Sequence, residues 1–150
     1  MNNSEFAFIV DVALLPTAIK ADQLAGQTVV VVDVLRATTT IINALNNGCT
    51  QVFPQPGIEQ ARACHASMPE TSVIGGERNG QIVDGFHQGN SPLEYTSEAI
   101  SGKSVILATT NGTVAMESCR AADRVLIGAC LLYTSPSPRD LSTSRMPSSA

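Results

Sequence analysis

Apolar positions along this chain switch repeatedly between unbroken β-branched runs and helical spacing. Phe6–Leu14 reads as a first strand, and Pro16 opens a helical segment to about Ala25, closed by a Gly26-Gln27 turn. Thr28–Val34 is an unbroken apolar run, as expected of a strand covered on both faces. Thr38–Asn47 has helical spacing and a stop at Asn46-Asn47-Gly48. Gln51–Pro54 and Ser72–Ile74 read as short strands around a helix at Pro56–Ala66. Gly75–Gly89 is polar and glycine-rich and is expected to be a long loop. Ser91-Pro92 opens a helix to about Ile100, with Ser91 as N-cap and Glu94 at the capping-box position. Lys103–Ala108 is a buried strand, Asn111–Ala122 a helix and Arg124–Gly128 a further strand.

Strands alternating with helices predict an α/β fold: a mixed, largely parallel sheet between helix layers. Ligands of such sheets bind beyond the carboxyl ends of the strands. Three polar clusters occupy such ends, at Asp33–Thr40, Gly75–Ser91 and Thr109–Thr113.

The pattern stops near residue 130. Leu131–Ala150 is rich in Ser, Pro and Thr and has no apolar period, so composition predicts disorder. The segment also resembles a translated sequencing adapter of the transposase type. Cys130–Ser135, CLLYTS, is what the codons TGT CTC TTA TAC ACA TCT encode, and Pro136–Asp140 and Ser144–Ala150 follow in the same frame around an index at Leu141–Thr143. The expectation is therefore a native stretch at 1–129, an incomplete part of an α/β domain truncated on its C-terminal side, followed by a non-native tail at 130–150.

Composition narrows the function. The chain has 150 residues, 43% hydrophobic and 15% charged, as a globular domain requires. The formal charge of −4 argues against a nucleic-acid partner. No apolar run is long enough to span a membrane, and Met1–Leu15 lacks the basic start of a secretory signal. The four cysteines form no C-x-x-C pair or Cys/His cluster, which suits free thiols in a cytoplasmic protein. A homo-oligomer is compatible with all of this.

The chemistry lies in the three clusters. In VVVVDVLRATTT, Asp33 ends a strand, where it could bind a metal or attack as a nucleophile. Arg36 offers a planar fork for phosphate or sulfonate, and Thr38, Thr39 and Thr40 offer donors at a helix start. The residues alone leave open a local Asp33–Arg36 salt bridge with a threonine as an ordinary N-cap. Thr110, Asn111, Gly112 and Thr113 form a second hydroxyl-rich corner, which also reads as a capped helix behind a turn glycine. The Gly75–Ser91 stretch adds Glu77 and Asp84 as metal oxygens, Arg78 as a second cation, and Asn79, Asn90 and Ser91 as polar contacts. His87 is a weak proton-donor candidate, and His65, on a helix face among alanines, reads as structural.

VVVVDVLRATTTI, GERNG with DGF and GNSPLEYT, TTNGT and ADRVLIGA together resemble the 2-phosphosulfolactate phosphatase family, in order and spacing, over Phe6–Ala129. Members of that family are nearly twice as long as this stretch. The resemblance implies an α/β fold of two packed parts and a Mg²⁺-dependent phosphatase. Its reaction is hydrolysis of 2-phospho-3-sulfolactate to 3-sulfolactate and phosphate, a step toward coenzyme M. On that reading Asp33 and Arg36 are the catalytic residues, and Mg²⁺ would bridge a phosphate oxygen and one or more of Asp33, Glu77 and Asp84, of which two suffice. The Thr38–Thr40 amides would hold the phosphate, and Arg78 with Asn111–Thr113 the sulfonate or carboxylate. Whether Asp33 attacks directly or positions a metal-bound water stays open. His87 departs from the acidic or small polar residue more usual there. A truncated chain is expected to be inactive. The competing readings are a non-catalytic phosphate- or sulfonate-binding module and a phosphatase for another small phosphate ester.

Overall fold

The computed structural model describes residues 9–129; the expected adapter-derived tail at 130–150 and the start of the expected first strand lie outside them. Strand β5, Ser104–Ala108, is buried along its whole length and organises the core. Alternate side chains of a strand face opposite ways. Val105 and Leu107 accordingly join one apolar cluster, with Ile41, Ala44, Ile100, Met116 and Cys119. Ile106 and Ala108 join the other, with Ala61, Ile74, Val83 and Phe86. The expected sheet between helix layers is therefore present around β5.

Two parallel neighbours flank β5: β2, Gln51–Gln55, and β3, Ser72–Arg78. Strand β4, Gln81–Ile82, adds an antiparallel edge, giving the order β2-β5-β3-β4. Strands β1, Thr28–Val32, and β6, Arg124–Gly128, form a separate parallel pair. Helix α1, Ala37–Asn46, and the short helices α3, Ser97–Ile100, and α4, Gly112–Ser118, contribute to the first cluster. Helix α2, Ile58–Ala66, contributes to the second. Among the described residues no helix is long and apolar enough to cross a membrane.

The structure departs from the sequence pattern at several points, each for a local reason. Residues 9–14 form no strand; Ile9 and Leu14 are 94% and 89% exposed, so little packing among the described residues holds them. The Pro16–Ala25 helix is two 3₁₀ turns, Pro16–Ala18 and Ala21–Gln23, parted by extended backbone at Ile19 and Lys20, and neither turn buries a residue. Strand β1 is not covered on both faces: Val31 is buried, while Val30 and Val32 are exposed. Among the described residues its one ladder partner is β6, whose Val125 and Leu126 are exposed as well.

The Gly75–Gly89 stretch is not one long loop. Strand β3 runs through Gly75 and Gly76 to Arg78, and Asn79 and Gly80, both with positive φ, turn the chain into β4. That is the two-residue hairpin turn an Asn-Gly pair favours. Gly75 and Gly76 serve packing: an added Cβ would collide with the Tyr95 hydroxyl at one and the Ala108 carbonyl at the other. The helix expected from Ser91 is a 3₁₀ turn at Pro92–Glu94 followed by α3, and the Ser91 side chain caps nothing. Glu94 instead accepts the Gly89 N–H at 2.5 Å.

Tyr95 is fully buried and donates its hydroxyl to the Gly89 carbonyl at 2.7 Å. Burial pushes the phenol well above its usual range, and the nearby Glu94 charge adds to this, so it stays a donor. Tyr95→Phe removes the donor and leaves that carbonyl unpaired. The expected loss is about 1–3 kcal/mol, read from urea unfolding of the variant beside the parent chain.

Candidate functional site

Two strand-to-helix corners are built alike. At the end of β1, the Asp33 N–H donates to the Thr38 hydroxyl at 3.0 Å, and that hydroxyl donates to the Asp33 carbonyl at 2.8 Å. At the end of β5, the Thr109 N–H donates to the Thr113 hydroxyl at 2.9 Å, and the Thr113 N–H donates to the Thr109 hydroxyl at 3.1 Å. A threonine on the following helix thus closes the exposed backbone of the strand end, which frees the residue beside it to point elsewhere.

The corners meet at Gly112. A Cβ there would lie 2.6 Å from Asp33 Oδ2 and would collide with the Ala37 side chain. Gly112 thus lets α4 approach Asp33. Glu77, at the end of β3, closes the arrangement from the other side. The Thr110 N–H donates to Glu77 Oε1 at 2.6 Å, and the Thr110 hydroxyl and Gly80 N–H donate to Oε2 at 3.0 and 2.8 Å.

The result is an open cleft of about 230 Å³, with Asp33, Arg36 and Glu77 supplying its charges. Asn79, Asn90, Thr110 and Asn111 supply the polar wall, with Leu35 and Gly80 completing it. The dimensions suit a small ligand. Among the described residues the one ion pair is Arg120–Glu117, far along α4. The local Asp33–Arg36 salt bridge does not form, and both charges face the cleft unpaired.

The two carboxyls are tuned in opposite directions. Burial raises the Asp33 carboxyl above its ordinary value; the Ala37 amide opposes this and the Glu77 charge adds to it. Burial would also raise Glu77, but the Thr110 and Gly80 hydrogen bonds and the Arg78 charge outweigh it and hold that carboxyl below its ordinary value. Glu77 is thus a firmly ionised anchor, and Asp33 a carboxylate whose charge the fold does not fully compensate.

Of the other residues expected at the site, several serve the frame. Thr39 donates to the Val34 carbonyl at 2.8 Å and Thr40 to the Asn90 carbonyl at 3.1 Å, so with Thr38 all three hydroxyl protons are spent on main-chain oxygens. The Thr38 and Thr40 amides are likewise spent, on the Asp33 and Arg36 carbonyls. Thr113 is buried in its corner. Arg78 and Ser91 are not part of the cleft wall. Asp84 is exposed in a turn whose carbonyl takes Arg62, away from the cleft, and no three His, Cys, Asp or Glu side chains among the described residues could share a metal. The carboxylate pair Asp33 and Glu77 is what remains. His87 is exposed outside the cleft, and His65 is engaged with Ser72 at 2.7 Å.

Sequence reasoning missed how Asn90 is placed. Side chains of α1 at i, i+3 and i+7 share one face. Thr40, Asn43 and Asn47 use that face to bind the Asn90, Pro92 and Tyr95 carbonyls, at 3.1, 2.7 and 2.8 Å. The spacing of Thr40, Asn43 and Asn47 along one side of this helix was the available signal.

Comparison with known proteins gives a consistent result. The family model described as 2-phosphosulpholactate phosphatase matches residues 13–134. A protein of Clostridium novyi (strain NT) named "Probable 2-phosphosulfolactate phosphatase" is 39% identical over 122 residues, 81% of this chain and 52% of that relative. A protein of the same name from Clostridium perfringens (strain 13 / Type A) is 42% identical over 125 residues, 81% of this chain and 51% of the relative. The chain spans about half the length of the curated relatives it matches.

The opposed carboxyls predict opposed variants. With its folded pKa raised, ionised Asp33 costs stability at neutral pH, a cost that disappears as pH falls to its ordinary value, 3.8. Asp33→Asn should therefore raise the unfolding midpoint at pH 7, with the gain shrinking toward pH 4. Glu77, with its folded pKa lowered, contributes stability above its ordinary 4.5 that is lost as pH falls through the folded value. Glu77→Gln should cost roughly 1–3 kcal/mol at pH 7, with the deficit shrinking in acid. Denaturant melts of both variants from pH 7 to pH 3 check the pair.

Proposed function

Because the chain belongs to the 2-phosphosulfolactate phosphatase family, we propose that its protein is a magnesium-dependent phosphatase. It hydrolyses 2-phospho-3-sulfolactate to 3-sulfolactate and phosphate, a step of the kind that leads toward coenzyme M. The observation that carries this reading is the small cleft in which Asp33, Glu77 and Arg36 meet without pairing.

The donor set fits a hard divalent cation. Two carboxylates face one cleft, the Glu77 charge raises the cost of ionising Asp33, and neither makes an ion pair among the described residues. Glu77 already accepts three hydrogen bonds, and a carboxylate has about four lone-pair sites, so it has room for one more partner. Magnesium held by Asp33 and Glu77 would supply neutralisation of charge at the phosphoryl oxygens.

The chain's own residues do the remainder. Arg36 holds phosphoryl oxygens in its planar fork and stabilises charge as the ester bond breaks. The Asn111 side chain, exposed and free of any capping bond, and Asn79 on the hairpin turn offer amide donors to the carboxylate and sulfonate. Asp33 faces the phosphorus, either attacking it or orienting the water that does. Beryllofluoride trapping distinguishes the two: an adduct on Asp33 identifies the nucleophile, and its absence assigns attack to water.

Asp33→Asn should abolish phosphate release from 2-phosphosulfolactate in the family's full-length form while leaving the fold intact. Arg36→Lys should retain more activity than Arg36→Ala, since it keeps the charge and loses only the fork. Near-parent turnover by Asp33→Asn would refute the assignment. Faster turnover of other phosphate esters would redirect the substrate, and metal-independent turnover would remove magnesium.

We further propose that the 150-residue chain alone is inactive. The apolar faces of Val30, Val32, Val125 and Leu126 beside the Asp33 corner are uncovered among the described residues, and a longer relative has as much polypeptide again. Parallel phosphate-release assays of this chain and the Clostridium novyi protein should show turnover by the latter only.

A further inference from the structure

Asn90 lines the cleft with a need that the fold leaves unmet. It is 6% exposed, and its Oδ1 is enclosed without a hydrogen-bond partner, the one such side-chain atom among the described residues. A buried polar atom left in this way costs about 1–3 kcal/mol. The backbone that carries it is held: the Thr40 hydroxyl donates to the Asn90 carbonyl at 3.1 Å, and the Asn43 amide donates to the Pro92 carbonyl two positions on at 2.7 Å.

An amide oxygen only accepts. The phosphate, carboxylate and sulfonate of the proposed substrate also only accept at neutral pH, so this atom is unsuited to the anion. It calls for a donor or a cation. The same cleft holds two carboxylates, Asp33 and Glu77, and neither makes an ion pair among the described residues. We propose that Asn90 Oδ1 is a third oxygen ligand, beside Asp33 and Glu77, of the divalent cation at this site. The inference rests on the magnesium reading above.

The choice of amide over carboxylate has a physical reason. Two carboxylates and a divalent cation sum to zero charge, which lets Arg36 set the sign of the cleft for an anionic substrate. A third carboxylate would bind the cation more strongly and leave a net negative charge facing that substrate. An amide oxygen supplies coordination without that penalty.

Mn²⁺ serves as the probe, titrated without substrate and followed by electron paramagnetic resonance of the free ion, on the protein and on Asn90→Ala and Asn90→Asp. Asn90→Ala should weaken Mn²⁺ binding by at least about tenfold, with metal-free thermal stability unchanged or higher. Asn90→Asp should bind Mn²⁺ as tightly as the parent or tighter, yet bind inorganic phosphate more weakly once loaded. Parent-like Mn²⁺ binding by Asn90→Ala overturns this inference and leaves the magnesium reading standing. No Mn²⁺ binding by the parent overturns both. Should Asn90→Ala not fold, Asn90→Asp decides, and folded protein with weakened Mn²⁺ binding overturns the inference.

Discussion

The Glu77 carboxylate joins the hairpin turn, the end of β3 and the corner after β5 through hydrogen bonds to Gly80 and Thr110. Every other feature of the cleft is placed relative to that junction. Thr110 is held where Asn111 and Gly112 can follow it against Asp33, and the Asn79-Gly80 turn becomes one wall. A charge buried among donors in this way is costly to disturb, because each donor would be left unpaired. The same buried charge opposes ionisation of Asp33. One carboxylate therefore sets both the shape of the cleft and the unrelieved charge at its centre.

The α/β class and most elements around β5 were legible because their signals are local. β5 is a continuous apolar run, α1 has helical spacing, and both corners announce themselves through polar residues after β-branched ones. The Asn79-Gly80 hairpin was equally local and was obscured by the two glycines before it, which looked like loop residues. Their cause is non-local, since Tyr95 and the Ala108 carbonyl press on them from elsewhere in the chain. Exposure of β1 was illegible for a similar reason: an apolar run does not say which neighbours will cover it.

At the site, residue type told more than residue role. Asp33, Arg36, Glu77, Asn79, Asn90, Thr110 and Asn111 do line one cleft. The threonines mislead because a hydroxyl at a helix start suits an anion and a main-chain carbonyl equally well, and here the carbonyls take it. Asp84 misleads because the hairpin carries it away from the cleft, and Arg78 because successive residues of a strand face opposite ways. An acidic chain can still host a dense anion, since what matters is the field within a few ångströms and not the total charge.

The contact between Gly112 and Asp33 also bears on how such a protein can change. With Ala37 on one side and the carboxylate on the other, position 112 has no room for even a methyl group. Drift at any of the three residues is confined to combinations that keep the gap, so they would be inherited as a linked set. Two stretches of chain far apart in sequence are thus bound to a common history by the width of one hydrogen atom.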